Sequence, residues 1–156
     1  MSELTYCKSW FRAKKCATKI LDENQAREAH EKKQEYTVLV GDPNHPHCFI
    51  EIYNDFVGVG FLDEQLRESL TYQFQEVELG ELFLSMATYR DFDGETDKVL
   101  SGSSYLFSQD GKIQIRKEAF NPHSLEVSDT KGDVSGNYES YPSFGDYFQV
   151  TIAERN

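Results

Sequence analysis

Asp91-Phe92-Asp93-Gly94-Glu95-Thr96-Asp97 sets four carboxylates at alternate positions around one glycine. Carboxylates so crowded could ligate a hard cation or meet a cationic surface. The calcium-loop template tests the first use. With Gly94 as its sixth position, the first falls on Tyr89 and the twelfth on Leu100, where oxygen ligands are required and neither residue is one. The stretch therefore reads as an acidic turn between strands, suited to a basic partner.

Other chemistry finds fewer residues. His45-Pro46-His47-Cys48 offers three potential metal ligands, but the nearby prolines make it a turn and no second cluster closes a tetrahedral site. His30 and His123 stand alone, and Cys48 opens an apolar strand as a small core residue. There is no G-x-S-x-G elbow, no phosphate-cradling G-x-x-x-x-G-K-[ST], and no His at motif spacing from a nucleophile. No catalytic residue, metal or cofactor is expected. Gly58 and Gly60 in Phe-Val-Gly-Val-Gly-Phe fall inside a strand, which suggests a bulge or close packing.

Residues 135–147, SGNYESYPSFGDY, repeat an aromatic ring every three positions: Tyr138, Tyr141, Phe144 and Tyr147. Gly and Pro exclude a helix, and Pro142 excludes a central strand. The rings either fold back on the core or serve a partner, since Tyr among small residues is also the composition of binding loops. The expected split has Phe144 and Tyr147 turned inward and Tyr138 and Tyr141 more exposed.

The elements that must carry these residues follow from periodicity. Tyr6, Trp10, Ala13, Ala17, Ile20 or Leu21, and Asn24 recur at three- and four-residue spacing, which predicts one long amphipathic helix over 4–34. From Tyr36 the period becomes two. Strands are expected at Tyr36–Val40, Cys48–Tyr53, Phe56–Phe61, around Leu70–Phe74, Leu82–Tyr89, Tyr105–Phe107, Ile113–Ile115, Leu125–Val127 and Tyr147–Ile152. Asn54-Asp55 and Asp110-Gly111 mark tight hairpins, the second a two-residue turn with positive φ at Gly111. The expected fold is α+β: a single domain, 1–156, with that helix and a mainly antiparallel sheet of about seven or eight short strands over 36–152.

The 156 residues are enough for a core, and 13% are aromatic. The net charge is −11. Residues 1–40 carry eight Lys and Arg against six Asp and Glu, and residues 41–156 carry eight against twenty-one. Such a body repels phosphate backbones and attracts a basic partner. No run approaches a membrane span, the N-terminus lacks a signal peptide's apolar stretch, and three unpatterned cysteines suit a reducing compartment. A cytoplasmic protein is expected, with no nucleic-acid or membrane partner, monomeric or a weak dimer when free.

TYQFQEVELGELFLSMATYRDFDG, GSSYLFSQDGKIQIRKE and SGNYESYPSFGDY together resemble small immunity proteins encoded beside Rhs-type and other polymorphic toxins. The likeness covers about residues 56–150. It implies non-catalytic work: binding a cognate toxin domain in the cytosol and blocking its active site or its access to the target. The expected contact surface is Asp91, Phe92, Asp93, Glu95 and Asp97 with Tyr138, Glu139 and Tyr141, on the assumption that the two segments lie side by side. Two other classes fit the same residues: a small enzyme that reverses a toxin's modification, or a homo-oligomeric binding subunit.

Overall fold

The structure, a computed structural model, describes residues 3–154. Thirteen strands are seen there: β1 (Leu4–Cys7), β2 (Trp10–Phe11), β3 (Cys16–Ala17), β4 (Ile20–Leu21), β5 (Tyr36–Asp42), β6 (His45–Ile52), β7 (Phe56–Leu62), β8 (Glu68–Glu78), β9 (Glu81–Phe92), β10 (Val99–Phe107), β11 (Lys112–Phe120), β12 (His123–Lys131) and β13 (Tyr138–Ser140). The one α-helix, α1, spans Glu23–Glu31. From β5 to β12 each strand pairs antiparallel with the next. The sheet runs β12-β11-β10-β9-β8-β7-β6-β5-β1-β4, with β13 added beside β9.

The expected helix over 4–34 is overturned, and with it the α+β description. That segment holds four short strands before a nine-residue helix. Its three- and four-residue spacing also fits two hairpin arms. Thr5, Tyr6, Cys7, Trp10 and Phe11 favour extended backbone, and Lys15 takes φ +54° in the turn between β2 and β3. The helix begins where a cap is available: Asp22 accepts from the Gln25 N–H, and the Gln25 side chain accepts from the Asp22 N–H. The expected closing strand at Tyr147–Ile152 is also corrected, since Phe148–Thr151 is a turn of 3-10 helix. The Asp110-Gly111 hairpin has a three-residue loop, Gln109 to Gly111, with Gly111 at φ +90° as its sequence requires.

Register explains what is buried. One row of side chains crosses the sheet as Tyr6, Val38, Ile50, Val59, Tyr72, Ala87, Tyr105, Ile115 and Ser128. The first six are buried, Tyr105 and Ile115 half-buried, and Ser128 exposed. The buried part lies in the core with Ala26 and Ala29 of α1 and with Tyr147 and Val150 of the C-terminal segment. The opposite face carries a smaller core of Cys7, Trp10, Leu39 and Phe49. Gly60 makes room there, because a Cβ at that position would lie 2.3 Å from the Phe49 ring. Strands β10 to β12 extend past both cores as a wing one sheet thick, and every residue of β12 is exposed.

Candidate functional site: an acidic turn beside an aromatic ladder

Strand β9 ends at Phe92 and the chain turns back through Asp93–Lys98 into β10. Within the turn the Asp93 N–H donates to the Lys98 carbonyl, and the Thr96 N–H to the Asp93 carbonyl. Arg67 sets its shape. The Arg67 side chain is 14% exposed, its Nη1 donates to the carbonyls of Gly94 and Thr96 at 2.8 Å, and its guanidinium lies 4.6 Å from the Phe92 ring centre. Asp63 fixes Arg67 in turn through Nε at 2.8 Å. Burial pushes the Asp63 carboxyl up, but the Arg67 and Gln65 backbone N–H groups and the guanidinium more than offset this and hold it below its ordinary value.

The four acids differ in state. Asp97 accepts from Lys15 at 2.7 Å, and Asp91 accepts from the Ser101 hydroxyl at 3.1 Å. Asp93 and Glu95 are exposed and make no ion pair among the described residues. They are the charges this turn presents.

The second expected segment lies elsewhere. Tyr138, Glu139 and Ser140 pair with Phe83, Leu82 and Glu81 at the start of β9, whereas the acidic turn follows its end. At about 3.3 Å per residue the two are separated by roughly 30 Å. Tyr138 rests against Phe83 with ring centres 5.0 Å apart, and its hydroxyl donates to Gln109 Oε1 at 3.3 Å. Tyr141 is half-buried, its hydroxyl donates to the Tyr53 carbonyl, and burial pushes it up to about 12. Phe144 stacks on Tyr6 at 5.1 Å, and Tyr147 is buried. The rings of this stretch are committed to the chain, Tyr138 least.

Other aromatic rings stand beside the acids. Tyr89 is two residues before Asp91 on the same side of β9, directly opposite Ser103, and is 45% exposed. The Tyr89 and Tyr105 rings meet edge to face at 5.9 Å, and Tyr105 stacks on Phe107 at 6.5 Å. Ile115 and Ile113 stand opposite Tyr105 and Phe107 on β11. This ladder continues the core face of the sheet past the reach of α1. An apolar centre edged by Asp91, Lys117 and Glu126 has the make-up of a protein-binding patch. In the sequence Tyr89 and Tyr105 stand out only as strand residues. Alternation along β9 and β10 was the available signal, but it could not show that the covering layer stops there.

On the other face, a cleft of about 310 Å³ lies between Trp10, Arg12, Lys15, Leu62, Arg67, Glu68, Arg90 and Phe92. Arg12 donates to Glu68 and Glu51 at 2.9 and 3.0 Å, and Arg90 donates to the Thr71 hydroxyl, which donates to Glu68. With Lys15–Asp97 and Arg67–Asp63, four cations meet four carboxylates. These contacts tie the β2–β3 hairpin to the sheet. The lining holds no Ser, Thr, Cys or His among the described residues. Burial pushes Cys7 up to about 11 and Cys48 up to about 12, values of unreactive thiols.

Among the described residues no helix is long and apolar enough to cross a membrane, and no group of three or more His, Cys, Asp and Glu side chains is placed to hold a metal. Comparison of the chain with protein-family models, with curated proteins and with solved structures finds no match.

Proposed function

We propose that the chain is a cytoplasmic, non-catalytic immunity protein that binds a basic toxin domain and blocks its active site or target access. The observation that carries this reading is the edge-to-face pair of exposed Tyr89 and half-buried Tyr105, directly beside Asp91 and the turn bearing Asp93 and Glu95. Rigid aromatic rings supply contact area at small entropy cost, and uncommitted acids speed encounter with a cationic surface. The resemblance of residues 56–150 to immunity proteins of polymorphic toxin systems supports the same class. The test is titrated neutralisation of the toxin domain encoded beside this chain. Protection complete at one equivalent and absent well below it is the expected result. Protection by a small fraction of an equivalent, with turnover, would replace this reading with an enzyme that reverses the toxin's modification.

A further inference from the structure

Strand β12 ends the sheet, and the hydrogen-bond parity across the wing fixes which of its backbone groups are unused. The Ser108 N–H donates to the Lys112 carbonyl at 2.9 Å, so even-numbered residues of β11 bond β10. Odd-numbered residues of β11 then bond β12, and the Gly132 N–H to the Gly111 carbonyl at 2.9 Å lies in that register. On β12, therefore, Ser124, Glu126, Ser128 and Thr130 bond β11. Leu125, Val127 and Asp129 turn both N–H and C=O to the open edge. Leu125 and Val127 are also 45% and 49% exposed. An edge of this length with free backbone groups on an uncovered wing is a template for another strand.

We propose that this edge pairs antiparallel with β12 of a second copy, about a two-fold axis at Val127. Charge and register both argue for a copy. Residues 99–131, the wing and its turns, contain four Lys and Arg and four Asp and Glu, so all of the −11 net charge lies in the rest of the chain. Wing-to-wing contact is the approach that keeps two acidic bodies apart. Val127 is the midpoint of His123–Lys131, so this register pairs all nine residues. It sets Val127 against Val127, Leu125 against Asp129, Ser124 against Thr130 and Glu126 against Ser128, with no two carboxylates and no two lysines opposed. The register centred on Glu126 opposes two carboxylates. A symmetric contact of this kind is isologous and closes at two chains, and it leaves the aromatic ladder on the sheet face uncovered.

The experiment is sedimentation equilibrium with amide exchange on the full chain across a concentration series. Wild type is expected to shift from monomer toward dimer, with exchange at Leu125, Val127 and Asp129 slowing as it does so. Val127→Pro removes one outward N–H and no β11 bond, and is expected to abolish the dimer. Ser128→Pro removes a β11 bond and is expected to lower Tm as well. Val127→Lys, which opposes two ammonium groups at the axis, is expected to abolish the dimer with Tm near wild type, and it decides the matter if the proline variant fails to fold. A wild-type monomer at every concentration, or a dimer that survives Val127→Lys, overturns the proposal and leaves the edge to a strand of another protein.

Discussion

The hydroxyls of Tyr36 and Tyr147 lie 2.8 Å apart across 111 residues of chain, and His30 Nδ1 lies 2.7 Å from the same Tyr36 hydroxyl. One buried phenol thus joins α1, β5 and the C-terminal segment. Burial lowers the His30 pKa and raises that of Tyr36, and burial with the neighbouring Tyr147 pushes Tyr6 up to about 12. The signs differ at the two ends of the pH scale. A depressed His30 favours the fold above its ordinary 6.5, and that contribution is lost as pH falls through the depressed value. The raised tyrosines favour the fold below their ordinary 10.0, and that contribution is lost as pH rises. Tm is expected to fall on both sides of this plateau. His30→Gln should flatten the part of the acid limb between 6.5 and the carboxylate range. An unchanged acid limb would show that His30 does not titrate with unfolding.

Gly60→Ala is expected to destabilise the chain by about 1–3 kcal/mol, because the new methyl overlaps the Phe49 ring, which is held by Trp10 at 6.0 Å. Chemical denaturation measures this. Gly58→Ala, whose nearest neighbour would be the Phe56 side chain at 3.2 Å, should cost less.

Gly111→Val is expected to cost on the order of 1 kcal/mol or more. The position has φ +90°, and a Cβ there would lie 2.9 Å from the Gly132 carbonyl oxygen. A melting temperature equal to wild type would contradict the hairpin geometry.

Arg67→Lys keeps the charge but cannot hold Asp63, Gly94 and Thr96 together in one plane. A loss of about 1–3 kcal/mol is expected. Faster amide exchange within the Asp93–Lys98 turn should accompany it, separating turn loosening from general destabilisation.

Much of the sheet was legible because alternation and turn residues act locally. Tyr36–Asp42, Phe56–Leu62 and Glu81–Phe92 lie where period-two patterning puts strands, and Gly60 packs closely as its place in a strand suggests. The N-terminal segment was not legible as strands. Its apolar residues fit either period, and long-range pairing of Leu4–Cys7 with Thr37–Val40 decided between them. The acidic turn was visible as composition, but its neighbours were not. Which rings stand beside Asp91 depends on the register of β9 against β10, and which rings stay open depends on where α1 and the C-terminal segment stop.

The most direct test of the proposed binding face is surface-plasmon kinetics with a toxin domain that the chain neutralises, at two salt concentrations, with Tm as the control for folding. Asp93→Lys with Glu95→Lys is expected to slow association and flatten its salt dependence. Tyr89→Ala and Tyr105→Ala are each expected to speed dissociation, costing about 1–3 kcal/mol. Wild-type rates in all of these well-folded variants, with Tyr138→Ala or Tyr141→Ala speeding dissociation instead, would contradict the assignment and move the contact to the opposite end of β9.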